Sequence, residues 1–305
     1  MNTPSNAMSE SPVQSQTMAR AAISATRRMY WSMRRELWEH RSIYLAPLIA
    51  AAVAVFGFLI SLPQHMRGVS SLDRAHEVLD KPHEIAAGLI MGTGFIVGIF
   101  YALDALYGER RDRSILFWKS LPVSDLTTVL SKVTIPLIIL PLLSFAIAVA
   151  TQFVMLLLSS IVLLGRGLNI GAFWAHMSFF HMSLMLLYHI LTVHGLWYAP
   201  LYGWLLLVSA WAPRAPFICA FLPPFVIWGV EKIAFQTSYF LAMLQYRLAG
   251  PEPAATTAQH GTVMDVLSAL TLAQFLSTPG LWVGLAVAAA LLFAAVRLRR
   301  YRGPI

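Results

Sequence analysis

Four histidines fall close together: His176, His181, His189 and His194. Their gaps of five, eight and five residues are not the three- or four-residue spacing that sets two ligands for one metal on one helix face. At about 100° per residue His176 and His194 share a face, but they stand about five turns apart. Packing and interfacial hydrogen bonding account for these histidines, and a haem held between two helices is left open by spacing alone. His83-Glu84 begins the zinc-protease pattern H-E-x-x-H, but Ala87 stands where the second histidine belongs. No G-x-x-x-x-G-K-[ST] and no G-x-S-x-G occurs in the chain. Neither a phosphate loop nor a serine nucleophile elbow is therefore encoded. "MGTGFIVG" has the wrong spacing for a dinucleotide loop and no strand before it. The single cysteine, Cys219, lies in an apolar run and reads as a packed side chain. The expectation is no metal, no cofactor and no enzymatic activity of the chain's own.

One stretch stands out by its charge. "GERRDRSILFWKSLPVSD", Gly108–Asp125, holds seven charged residues between two long apolar runs. Its first part is charged: Glu109, Arg110, Arg111, Asp112 and Arg113. Its second part is apolar and aromatic: Ile115, Leu116, Phe117, Trp118 and Leu121, with Lys119 among them. Pro122 ends that piece. Ser124 is a good N-cap for a following helix, and Asp125 suits the positive end of its dipole. The pattern describes a short helix with an aromatic tip and charged flanks. Aromatic residues and arginine are what buried interface anchors are made of. Asp104, just upstream, is the clearest ionisable residue at a span end, and Arg111 is its expected partner.

The elements that must position this stretch follow from composition. Hydrophobic residues make up 58% of the 305 and charged residues only 12%, about half the charge of an ordinary soluble domain. Uncharged runs of the length that crosses a hydrocarbon core recur along the chain. The expected fold is all-α and integral to the membrane. Six transmembrane helices are placed near 43–62, 85–106, 126–164, 177–210, 215–232 and 279–297. An N-terminal amphipathic interfacial helix covers 18–42, and a re-entrant or surface helix precedes the last span. Residues 1–17 are polar and read as a disordered tail; 18–305 form one membrane domain. The polar segment Pro63–Glu84 is expected to hold a short surface helix.

With the N-terminus placed in the cytoplasm, all but six of the 22 Lys and Arg residues fall on that side. The exceptions are Arg67, Arg74, Lys81, Arg166, Lys232 and Arg247. This bias fits six spans with both termini inside. The net charge of +8 is explained by anionic lipid and calls for no nucleic acid. In the interfacial helix, Arg27, Arg28, Arg34 and Arg35 suit lipid phosphate, and Trp31 and Trp38 suit the acyl boundary. In the second span, Gly88-x-x-x-Gly92 and Gly94-x-x-x-Gly98 permit close helix approach, within one subunit or between two.

The segment "ALYGERRDRSILFWKSLPVSDLTTVLSK" resembles the signature of bacterial type-2 ATP-binding-cassette (ABC) exporter permeases. The matching features are Glu109-Arg110-Arg111-Asp112-Arg113, then Phe117-Trp118-Lys119, then Pro122-Val123-Ser124. The resemblance implies that Glu109–Leu121 is a coupling helix seating in a cleft of a separate cytoplasmic ATPase. Glu109, Arg110, Arg111, Asp112, Arg113, Phe117, Trp118 and Lys119 become the candidate partner contacts. It further implies a second permease copy or homologue, ATP bound only by the partner, and residence in the bacterial inner membrane. The alternative is a non-transport membrane protein, either an assembly factor or a haem-binding electron-transfer subunit.

Overall fold

The computed structural model describes residues 25–303 apart from 66, 68–71, 121–122, 166, 168–170, 172–173, 175–182, 185, 189 and 251–271. The expected tail 1–17, Leu121, Pro122 and His176, His181 and His189 lie outside the described residues. Everything described is helix, turn or short connection, with no strand among the described residues.

The first described helix, α1 (Ala25–Glu39), is amphipathic. Met33 and Leu37 pack on the core while Trp31 and Trp38 stay exposed. A short turn leads into α2 (Ser42–His65) and then α3 (Leu72–Asp104). At 33 residues α3 is about 50 Å long at 1.5 Å per residue, well beyond a 30 Å hydrocarbon core. The separate surface helix expected between Pro63 and Glu84 is therefore replaced by extensions of α2 and α3. Charged residues mark where hydrocarbon ends, but they are good helix formers and do not stop the helix.

Next come two short helices, α4 (Tyr107–Arg111) and α5 (Ser114–Ser120). Between them Arg113 adopts a left-handed backbone (φ 59°), which turns the chain sharply. Then α6 (Asp125–Thr134) runs through a π-helical turn, Ile135–Ile139, into α7 (Leu140–Leu164). Ser124 caps α6 by accepting from the backbone N–H of Thr127. Pro136 lies in the π turn, where its missing N–H is accommodated by the locally wider winding. A second π-helical segment, Ile190–Trp197, precedes α8 (Ala199–Trp211), and the two are bent by 47°. After α9 (Pro216–Phe235) come α10 (Tyr239–Ala249), α11 (Leu272–Ser277) and α12 (Pro279–Tyr301).

Among the described residues, five helices are long and apolar enough to cross a membrane, or six if the bent pair is one span. Large apolar side chains point outward all round the bundle, among them Phe56, Phe100, Ile161, Phe225 and Phe293. Such a surface suits lipid and is foreign to water. The largest buried cluster joins Ile43, Tyr101, Val129, Val133, Leu205, Leu206 and Ala295. It draws α2, α3, α6, α8 and α12 together at the end of the bundle that carries α1 and the end of α12. The two glycine motifs separate in space. A Cβ at Gly98 would stand 2.8 Å from the Tyr202 hydroxyl, and Gly94 abuts Ser144, so both glycines serve packing within the chain. Gly88 and Gly92 face open space.

Candidate functional site

A chain of buried charges crosses the base of the α4–α5 elbow. Tyr101 on α3 donates its hydroxyl to Glu36 on α1 at 2.8 Å. Lys132 on α6 donates to the other Glu36 oxygen at 2.9 Å and lies 3.2 Å from Glu109 on α4. Arg299 on α12 bonds the second Glu109 oxygen at 2.9 Å and also pairs with Asp125, the first residue of α6. Glu36 and Lys132 are each 2% exposed, Arg299 4% and Glu109 6%. Four elements distant in sequence are thus tied by one alternating line of carboxylates and cations. Burial alone would push the Glu36 carboxyl up. The Lys132 ammonium beside it, with hydrogen bonds from Lys132 and Tyr101, holds it below the usual carboxylate range instead. In a low-dielectric interior such a chain is costly unless every member is paired, and breaking one link strands its neighbour.

The elbow itself is fastened by backbone capping. The Ser209 hydroxyl oxygen accepts from the N–H groups of Leu106 and Tyr107 at 3.0 and 2.9 Å, at the start of α4. Arg110 donates to the carbonyls of Ala210 and Ala212 at 2.6 and 3.2 Å, at the negative end of α8. Arg302 donates to the Trp211 carbonyl at 2.8 Å.

The structure divides the eight residues expected to meet a partner. Glu109 and Arg110 sit buried inside the frame, their charges answered by Lys132, Arg299 and the α8 carbonyls. Arg111, Asp112, Arg113, Phe117 and Lys119 are exposed. Arg111 pairs with Asp112 at 3.0 Å and approaches the expected Asp104 at 3.8 Å. Lys119 reaches the carbonyls of Arg300 and Arg302 at 3.3 and 3.4 Å, docking α5 beside the end of α12. Trp118 is half-buried: the Arg35 guanidinium lies 3.4 Å from its ring centroid. Arg35 is itself gripped by Glu39 through two hydrogen bonds. Trp118 therefore joins α5 to α1, and the exposed apolar tip is Leu116 with Phe117, both 59% exposed.

On α1, Arg34 lies between Trp31 and Trp38, 5.2 and 4.8 Å from their ring centroids. Arg27 is exposed and Arg28 lies in the same helix. Arg35 departs from that interfacial group by turning inward to Trp118. Glu36, Glu39 and His40 bring ligand-type atoms within 4.8 Å of one another, but Glu36 already answers Lys132 and Tyr101. Of the four clustered histidines, His194 is described; it is buried, edge-on to Tyr198 at 5.2 Å.

Sequence reasoning missed Glu36, Lys132, Arg299 and Tyr101. A signal was present in register: Lys132 sits beside Val129 and Val133, and Arg299 one turn after Ala295, on stripes that are otherwise core. The described residues are helical with no strand, and their long apolar helices are compatible with a multi-pass membrane protein. No family model, no curated protein and no solved structure matches the chain.

Proposed function

We propose that this chain is the membrane-spanning permease subunit of an ABC exporter, coupling ATP hydrolysis on a separate cytoplasmic ATPase to movement of a substrate across the bacterial inner membrane. Both termini face the cytoplasm, and a second permease copy or homologue completes the path. The supporting observation is the buried line Glu36–Lys132–Glu109–Arg299–Asp125 behind an exposed apolar tip, Leu116 and Phe117. A lever needs both parts. Its tip must offer a partner exposed apolar surface, and its root must be joined stiffly to the elements it moves. Here the root connects α1, α6 and α12, so a push on α5 reaches the interfacial helix, the third span and the last span together.

Arg111, Asp112, Arg113 and Lys119 form the charged rim of this tip, and Trp118 transmits load to α1 through Arg35. The role of nucleotide belongs to the partner. Co-purification of the full-length protein from its native membrane with a soluble ATPase that carries a phosphate loop tests the reading. Leu116→Ala with Phe117→Ala should lose the complex while the protein remains folded in the membrane. Retention of the complex and of stimulated ATP hydrolysis would remove the coupling role.

A further inference from the structure

We propose that Arg247 is the latch of a hinged lid, the short helix α10, lying over the Trp197 end of the bundle. The exporter reading supplies only the purpose of such a lid; the latch itself requires no ATPase.

The helix α10 has no buried residue. Tyr239 and Met243 are largely exposed. An element that packs so little apolar surface against the rest of the chain is held to it weakly by packing and belongs to the segments that move most easily. The polar contacts that hold it lie at its two ends. At the start, Glu231 near the end of α9 accepts from the N–H groups of Tyr239 and Phe240 at 2.5 and 2.9 Å, and from the Thr237 hydroxyl at 2.9 Å. These are the unpaired donors and the positive pole of the helix. Gln236 turns the chain there with a left-handed backbone (φ 53°).

At the far end the contacts reach distant segments. Arg247 donates to the Gly280 carbonyl at 2.5 Å, and its guanidinium lies 4.5 Å from the Trp197 ring centroid. Trp197 Nε1 donates to the Arg247 carbonyl at 3.0 Å, and the Tyr198 hydroxyl to the Leu248 carbonyl at 2.9 Å. The guanidinium occupies a notch on α12 that only glycine leaves open: a Cβ at Gly284 would stand 2.7 Å from the Arg247 Cζ. Beneath lie Val193, Trp197, Phe275 and Leu281, all buried. A Cβ at Gly250, just past α10, would sit 3.9 Å from Val193.

The asymmetry sets the direction of opening. The Glu231 contacts span eight and nine residues and travel with the turn. The Arg247 and Trp197 contacts span 33 and 50 residues and break when the helix lifts. Glu231 is the pivot and Arg247 the catch.

The test uses full-length protein in lipid nanodiscs on a Cys219→Ser background. Val193→Cys places a thiol under the lid. Leu156→Cys places one in a separate buried cluster between α3 and α7. Reaction rates with a water-soluble maleimide are read at each. Arg247→Ala and Gly284→Ala should each raise the rate at position 193 about tenfold. Combining them should add nothing, since both take the guanidinium out of the same notch. The rate at position 156 should not change. An unchanged rate at 193 in Arg247→Ala, or a double variant faster than both singles, overturns the latch. So does a parallel rise at 156, which would make Arg247 a support of the whole bundle. The exporter reading is untouched by any of these results.

Discussion

Lys132 and Glu109 meet 3.2 Å apart, each almost wholly buried, at the point where the third span passes behind the α4–α5 elbow. Glu109 begins the charged stretch that most invites a surface reading, yet it faces inward. Lys132 ends an apparently ordinary amphipathic turn, yet it is the hub of the network, since Glu36 holds its other side at 2.9 Å.

Removing Lys132 leaves Glu36 without its buried cation and Glu109 with Arg299 alone. Lys132→Met alone should destabilise the protein by about 3–5 kcal/mol, the cost of leaving buried charge unpaired. Glu36→Gln and Glu109→Gln added to it should recover much of that loss. Thermal unfolding in detergent measures both, and a triple variant no better than the single would deny that charge pairing is the cause.

The depressed Glu36 carboxyl gives a pH dependence of definite sign. Its contribution to stability is complete above the ordinary glutamate value of about 4.3. It is lost as pH falls through the lower folded value, because the folded state must then take up a proton it resists. Unfolding temperature should therefore drop as pH falls below the ordinary glutamate value, and Glu36→Gln should flatten that drop. An equal drop in Glu36→Gln would assign it to other carboxylates.

Trp118 and Phe117 are adjacent but should behave differently. Trp118→Ala loses the stack with Arg35 and should lower stability by about 1–2 kcal/mol. Phe117→Ala, at an exposed ring, should change stability by less than about 0.5 kcal/mol while weakening ATPase association. Equal stability losses would mean that both rings are packing residues.

Orientation is open to direct labelling. On a Cys219→Ser background, Ser120→Cys at the exposed end of α5 should react with an impermeant thiol reagent only from the cytoplasmic face. Labelling from the outside would reverse the proposed topology.

The helix at Ser124 was legible because capping is local: an N-cap hydroxyl and a first-turn acid specify it within a few residues. The apolar spans were legible because hydrocarbon imposes a length and excludes charge. The same signal mislocated the start of α3, since hydropathy reports the edge of the hydrocarbon and not the end of a helix. The 47° break falls just before Pro200, in the first turn of α8.

By itself, then, the chain's residue order determined an all-helical body with apolar spans, an amphipathic first helix and a charged, aromatic elbow. Those are consequences of solvation and near-neighbour geometry. The tertiary structure alone decided which charges turn inward. Glu36, Glu109, Lys132 and Arg299 come from four elements far apart in sequence, and each is tolerable in the interior only because the others arrive beside it. The meeting of Arg247 with Gly280 and Gly284 depends in the same way on how α10 folds back onto α12. Pairing across such distances leaves no trace in local periodicity, because it is fixed by packing and not by spacing.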